Sequence, residues 1–476
     1  MQYEAVIGLE VHVELKTRSK MFCGCATEFG APPNTQVCPV CLGYPGSMPV
    51  MNEEAVRKTI LSGMMLGCDI ARLSKWDRKN YFYPDMPKNY QISQYDLPLC
   101  LGGGVDIKLE DGKTKRIKLT RIHLEEDVAK NSHFETSSGI DFNRAGLPLM
   151  EAVSEPEISS PDEAFAYLTA LKEILVSGGV SDCDMEKGQL RCDCNVSVRP
   201  VGQKEFGAKI EIKNMNTISG VRRALAYEIP RQIAALGKGE KISQETRRWE
   251  DATGMTSVMR TKEYAHDYRY FPEPDLVPVV VTDAMLAEIR KRLPELPEAK
   301  RQRFMQQYGL PEYDVGVLVA DAALAAYYEQ AMGQSNNPKA TANWVTTELL
   351  GKLAEAKRTI TECPVAPSQL AELVALIGDG KISGKIGKEV FAEMFASGKN
   401  PSVIVQEKGL VQVSDTATIE AFADDAIAKN PKSVADFKAG NQAAINFLKG
   451  QVMKLSRGKA NPQLVGEILL RKLQGS

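Results

Sequence analysis

Four cysteines are the residues whose type and spacing point most directly to chemistry. They stand as Cys23-Gly24-Cys25 and Cys38-Pro39-Val40-Cys41, a C-x-C pair and a C-x₂-C pair separated by residues 26–37. Two close pairs of thiolates satisfy tetrahedral Zn²⁺, and Gly24, Gly30 and Gly43 permit tight backbone turns around the sulfurs. With all four positions filled by the chain, such a zinc is structural rather than catalytic. The competing readings are four reduced thiols in a loop, or a redox pair at Cys38 and Cys41. Cys183, Cys192 and Cys194 fall on the apolar side of their segment and read as small buried hydrophobes. Cys68, Cys100 and Cys363 are isolated.

A second chemistry is carried by oxygen ligands. Ile7, Leu9, Val11, Val13 and Leu15 alternate with Gly8, Glu10, His12 and Glu14. That period of two predicts a strand with one apolar face and one face presenting Glu10, His12 and Glu14, same-face neighbours standing ~6.5–7 Å apart. Leu190, Cys192, Cys194, Val196 and Val198 alternate in the same way with Arg191, Asp193, Asn195, Ser197 and Arg199. Ile210 and Ile212 alternate with Lys209, Glu211 and Lys213, so these two runs predict an antiparallel hairpin with Asp193 and Glu211 among cations. Arg121, His123 and Glu125 share a further face, and Glu151 lies between Leu149 and Val153. Oxygen ligands with at most one imidazole suit Mg²⁺, and interleaved Lys and Arg suit phosphates. Structural ion pairs satisfy the same pattern.

Other segments carry weaker signals. Trp76–Tyr90 interleaves aromatics with Arg78, Lys79 and Lys88, which suits a stacked base and a phosphate, or plain packing of a long loop on a sheet. Ala265–Phe271 is similar, and His266 there reads as structural. Gly378–Lys385 fails the phosphate-loop spacing and reads as a turn between helices. There is no G-x-S-x-G and no Cys–His pair suited to a glutaminase.

These residues must be positioned by a chain of 476 residues, which at roughly 150 per domain predicts about three domains. Hydrophobic residues at 43% and charged residues at 25% exclude wholesale disorder. A net charge of −2 excludes a uniformly basic nucleic-acid binder, so any polyanion site is local. The first residues carry neither a basic nor an apolar leader pattern, and runs such as Leu276–Val281 are too short to span a bilayer, so a cytoplasmic protein is expected. The first ~290 residues read as β-rich. Beyond Pro272, Pro274 and Pro278 the texture becomes helical. Asp283–Arg292, Asn343–Leu353 and Ser368–Ile377 are examples, with Cys363–Pro367 as a connection and a break at Glu407–Val413. Ser414 is expected to cap the next helix, Asn430-Pro431 to turn, and Asn461-Pro462 to open a last helix with Leu464, Ile468 and Leu469 on one face. Lys432–Ser476 carries eight basic and two acidic residues, a local +6 that suits RNA backbone or a solvated helix face.

Taken together, Gly8–Leu15, the paired cysteines, Asp77–Tyr83, Pro87–Gln94, His123–Asp127, Asn143–Glu151, Glu211–Asn216 and His266–Leu276 resemble the GatB/GatE family. Its members include the B subunit of the glutamyl/aspartyl-tRNA amidotransferase GatCAB, and the resemblance runs the full length in order. It implies an α+β fold. A large mixed α/β cradle domain with an antiparallel sheet spans 1–294, with a zinc-binding insert near 22–43. An all-helical domain spans 295–406, and a helical YqeY-like tail that binds tRNA spans 407–476. It implies a carbon–nitrogen ligase. ATP and Mg²⁺ activate the side-chain carboxylate of Glu-tRNA(Gln) or Asp-tRNA(Asn) by phosphorylation, and ammonia released from glutamine displaces the phosphate. The ammonia comes from a separate amidase subunit, and a third, small subunit braces the heterotrimer. The other reading is a non-catalytic, zinc-stabilised scaffold that presents tRNA.

That chemistry assigns roles. Glu10, His12, Glu125 and Glu151 are expected to hold Mg²⁺ directly or through water, with Asp193 and Glu211 next. Lys79, Lys88, Arg144 and Lys213 are expected to bind phosphate or to line the ammonia path, Tyr81 to bind the nucleotide, and Glu125 with the catalytic Lys88 also to gate ammonia. Cys23, Cys25, Cys38 and Cys41 are expected to hold structural zinc. Lys449, Lys454, Arg457 and Lys459 are expected to meet tRNA.

Overall fold

The alternation at the N-terminus becomes a strand, Tyr3–Glu14, in the computed structural model, which describes residues 2–109, 111–261, 267–410, 415–456 and 460–474. Ile7, Leu9, Val11 and Val13 are fully buried on one face, and Glu10, His12 and Glu14 are half-buried on the other. Each buried aliphatic side chain contributes about 1.5–3 kcal/mol, so the pattern fixes which face meets the core. The strand lies inside a thirteen-stranded sheet built from the described residues. On one side of it run Leu190–Pro200, Ile210–Met215, Glu245–Glu250 and Met255–Thr261. On the other run Pro148–Ser154, Thr114–Glu126, Tyr90–Ser93, Asp77–Asn80 and Phe271–Pro272. The pairings are antiparallel except that of Ile210–Met215 with Glu245–Glu250.

Three helices cover the apolar face. Glu53–Met65, Pro161–Ser177 and Ile218–Gly237 send Ile60, Leu168, Leu171, Leu175, Val221 and Leu225 into the core that holds Ile7, Leu9 and Val11. Each starts on a side-chain cap: Asn52 Oδ1 accepts from the Glu54 and Ala55 amides, Ser160 from Glu163, and Thr217 from Gly220. The Trp76–Tyr90 stretch is not a long loop. Its ends pair as strands, with Asp77 opposite Ser93 and Asn80 opposite Tyr90, while Phe82 and Tyr83 stand exposed at the tip. Cys183, Cys192 and Cys194 are buried, as their alternation predicts.

The chain divides into two compact units, Met1–Leu296 and Pro297–Ser476. The second is helical among its described residues and contains two separate cores. One gathers Phe304, Tyr328, Val345, Leu373 and Phe391, the other Ile419, Leu448, Val465 and Leu469. Gly378–Lys385 is the turn expected, between helices Pro367–Gly378 and Gly384–Ser397. The helix Thr416–Lys429 is capped by Asp415, whose carboxylate accepts from the Thr418 amide at 2.9 Å. Ser414, the cap expected from sequence, lies outside the described residues with 411–413, and the cap falls one position later because only Asp415 stands three residues before that free amide. The last helix, Pro462–Gln474, opens on Asn461 Oδ1, which accepts from Gln463 at 2.9 Å. No helix among the described residues is long and apolar enough to cross a membrane.

Candidate active site and metal centres

The polar face of the sheet gathers carboxylates that lie up to two hundred residues apart in sequence. The register sets His12 opposite Glu151, and Glu151 opposite His123 on the next strand. His12 Nε2 lies 3.3 Å from Glu151 Oε2 and 3.8 Å from Glu125 Oε1. His123 Nε2 approaches the same two carboxylates, at 3.5 Å from Glu151 and 3.8 Å from Glu125. Burial alone would pull the His12 imidazole down, but Glu151, Glu125 and Asp193 outweigh it and raise its pKa to about 9. Burial pushes the two carboxyls up, yet the imidazoles and the Lys79 ammonium hold both below the usual carboxylate range. The Lys79 ammonium, in turn, is held above the ordinary lysine value by Glu125 and Glu151 against the opposing effect of burial, and it stacks 5.1 Å from the Tyr268 ring. One ligand atom each from His12, Glu125 and Glu151 lies within 4.8 Å of the others, which fits the ~4.2 Å span across an octahedral Mg²⁺ with bonds of about 2.1 Å.

Two residues back on the same strand, Glu10 stands opposite Asp193 and builds a second cluster. Glu10, Asp193 and Glu211 also offer oxygens within 4.8 Å of one another. Asn195 Nδ2 donates to Glu10 Oε1 at 2.8 Å, and Thr246 Oγ1 donates to Glu211 Oε2 at 2.8 Å. Lys213 Nζ is bonded to Asp193 and lies 3.2 Å from Glu211. Burial opposes its charge, but these carboxylates hold its pKa well above the ordinary value. A register shift opposite Asp193 puts an extra residue into Ile210–Met215, and Asn214 takes φ 71° there. Such a bulge re-aims side chains, and Asn tolerates the left-handed backbone it needs. The six expected Mg²⁺ ligands therefore form two triads rather than one ring, each with a cationic side chain among its acids.

The cysteines converge as their spacing predicts. Sγ atoms of Cys23, Cys25, Cys38 and Cys41 all lie within 4.8 Å of one another, and those of Cys38 and Cys41 are 3.9 Å apart. A zinc tetrahedron with Zn–S of about 2.3 Å has edges of about 3.8 Å, so the four sulfurs fit it. The Cys41 thiol is pushed down to about 4, first by its bond from Cys23 and also by the Lys20 ammonium. Gly43 takes φ 68° in the turn after Cys41, with Lys88 so close that a Cβ would meet it at 2.5 Å.

The other expected site residues scatter. Lys88 leaves the acidic triads for Glu126, over the rings of Tyr90 and Phe22, on the wall of a cavity of about 220 Å³ shared with Cys23 and Cys41. Arg144 donates to the carbonyls of Val128 and Ala129, both at 3.0 Å, and lies 3.5 Å from Asp127. It lines a larger cavity of about 790 Å³ with Glu14, Arg191 and Asn216. Arg191 donates to Asp127 at 2.7 Å, and burial beside Asp127 raises Glu14 to about 8. Tyr81 follows the Asp77–Asn80 strand, its phenol pushed up first by burial and then by Asp85. His123, Asp127 and Arg191 were absent from the expected ligand set. The face shared by Arg121, His123 and Glu125 was the available signal for His123. In the tail, Lys449 and Lys454 lie on the helix Ala444–Leu455, whereas Arg457, Lys459 and, in the first unit, His266 fall outside the described residues. The +6 of the tail is offset in space, since Arg471 pairs with Glu420 and Lys472 with Asp424 at 2.7 Å.

Residues 5–287 match the GatB/GatE catalytic domain, and residues 326–473 match the GatB domain. Curated relatives align along the whole chain. A protein of Carboxydothermus hydrogenoformans is 56% identical over 477 residues, 99% of each chain. One of Caldanaerobacter subterraneus subsp. tengcongensis is 56% identical over 474 residues, 99% of this chain and 100% of its own. One of Methylacidiphilum infernorum is 54% identical over 485 residues, 100% of this chain and 99% of its own. All three are named as the B subunit of aspartyl/glutamyl-tRNA(Asn/Gln) amidotransferase.

Proposed function

The chain belongs to the GatB/GatE family, and from that premise we propose that it is the activating and amidating subunit of a tRNA-dependent amidotransferase. Its substrates are Glu-tRNA(Gln), Asp-tRNA(Asn) or both, and its products the corresponding amides. Oxide is a poor leaving group, so a carboxylate accepts ammonia only after its oxygen has been phosphorylated. The observation that carries this reading is the pair of acidic triads, His12–Glu125–Glu151 and Glu10–Asp193–Glu211, side by side on one sheet face. These two triads would hold Mg²⁺, which would supply charge neutralisation for phosphoryl transfer.

The chain's own groups do the rest. Glu10, His12, Glu125, Glu151, Asp193 and Glu211 hold the cations, and the strand register fixes their spacing. Lys79 and Lys213 sit among these acids and meet the phosphate oxygens. Tyr81 and its aromatic neighbours take the base. The cavity lined by Asp141, Glu186, Arg144 and Arg191 has mixed charge that suits an aminoacyl ester. Lys88 and Glu126, in the smaller cavity, line the path of ammonia. Zinc held by Cys23, Cys25, Cys38 and Cys41 secures the insert near 22–43. Ammonia comes from the amidase partner, a third and smaller partner completes the heterotrimer, and the complex works in the cytoplasm. The described helical tail, with Lys449 and Lys454, meets the tRNA backbone. We place domain limits at 1–294, 295–406 and 407–476; the two cores of the second unit support the last division.

The test is ADP release by the co-purified heterotrimer in the presence of mischarged tRNA. Glu125→Ala and Glu10→Ala should each abolish it. Unchanged release would overturn the activating role and leave a protein that only presents tRNA.

A further inference from the structure

Lys20 is fully buried, and the proposed chemistry gives it no task. Its Nζ lies 3.7 Å from Cys41 Sγ and donates to the Phe142 carbonyl at 3.2 Å. Among the described residues no carboxylate lies within 4.0 Å of it. Glu126, which also approaches Gly146, is taken up by Lys88 and by the Ile92 amide at 2.9 Å. Lysines are almost never fully buried unless paired, because removing an ammonium from water costs several kcal/mol. One sulfur at 3.7 Å and one carbonyl at 3.2 Å are few partners for it.

A metal centre would offset that cost. Zn²⁺ with four thiolates carries a net charge of −2, and Lys20 is the cation placed against it. Resting on the zinc reading above, we infer that Lys20 is the charge-compensating residue of the cysteine centre and couples that centre to the turn Asp141–Leu147. The coupling is built from hydrogen bonds. The Lys20 amide donates to the Cys25 carbonyl at 3.0 Å, and the next amide, Met21, donates to Gly146 at 2.7 Å. From the insert, the Asn34 amide donates to Asp141 Oδ1 at 3.0 Å, Asn34 Oδ1 accepts from the Phe142 amide at 2.8 Å, and the Gln36 amide donates to Asn143 Oδ1 at 2.8 Å. Arg144 rides on that turn. Lys20 is therefore a positioning residue that acts through the metal centre and touches no reacting atom.

The zinc dependence of a substitution tests this. Lys20→Met keeps most of the length of the side chain and removes its charge, and Lys20→Gln is the second neutral variant should the first not fold. Thermal unfolding of the full chain is measured with zinc bound and after zinc is stripped, together with transfer of zinc to a chromophoric chelator. With zinc bound, the neutral variants should melt lower and release zinc ~10-fold or more faster. Stripped of zinc, they should lose less than they lose with zinc bound, because the net −2 centre that Lys20 balances is gone. Equal lowering in both states would make Lys20 a packing residue and overturn the inference, as would unaltered zinc release. Absence of zinc from the natural protein would instead overturn the zinc reading itself, and that outcome shows in the unsubstituted control.

Discussion

The cysteine centre and the paired acidic triads are assembled by opposite means. The four sulfurs come from residues 23–41, and a turn such as that at Gly43 is enough to bring them together. The triads draw on residues from Glu10 to Glu211, and they exist only because five strands lie in one register. The first site is a property of a local loop, cheap to close in entropy. The second is a property of the whole sheet, where a slip of one residue turns every ligand to the other face.

That contrast is broken most severely by changing length. One residue inserted between Gly8 and Leu9 should send Glu10 and His12 toward the core, leaving no ADP release and a first unit that fails to fold, as read by activity and circular dichroism. Two glycines inserted between Phe29 and Gly30 should leave zinc content unchanged, since loop closure costs well under ~1 kcal/mol more. Less severe is Glu151→Ala, which removes a ligand that His12 and His123 share; ADP release should fall ~100-fold or more while thermal stability changes little. Smaller again is Cys41→Ser or prolonged chelation, which should lower the melting temperature by ~10 °C, several kcal/mol at this size, yet cut ADP release less than Glu151→Ala does. The smallest effect is expected at Lys454, on a helix of the second unit. Lys454→Gln should weaken tRNA binding a few-fold and make its salt dependence shallower by about one unit.

The sequence made the cysteine site legible for the same reason that it is robust: its spacing is written in consecutive residues. The strand faces were legible too, since Ile7 to Val13 alternate cleanly and Asp193 and Glu211 fall on a foreseeable hairpin. The division of six ligands into two triads was not, because it depends on which strand lies beside Tyr3–Glu14 on each side, and alternation does not encode neighbours. Lys88 and Arg144 are expected at the phosphates or along the ammonia path because the implied chemistry needs cations. In the fold each finds nearer partners, Glu126 for one and the carbonyls of Val128 and Ala129 for the other. The helix Pro161–Ser177 went unread although Ala164, Tyr167, Leu168, Leu171 and Leu175 carry its period, because the surrounding β signal dominated that stretch. The basic tail reads as a patch in sequence because Glu420 and Asp424, which pair with Arg471 and Lys472, precede it in the chain.

Glu10 and His12 belong to different triads yet are separated by a single residue of one extended backbone. The backbone interval between these two residues is thus a ruler marking of the peptide chain itself, about 7 Å, set by bond lengths. Neither anchor can shift along the strand without the other. For the proposed activation, which needs a nucleotide's phosphate tail and the group receiving phosphate side by side, that strand gives the two triads a common backbone gauge.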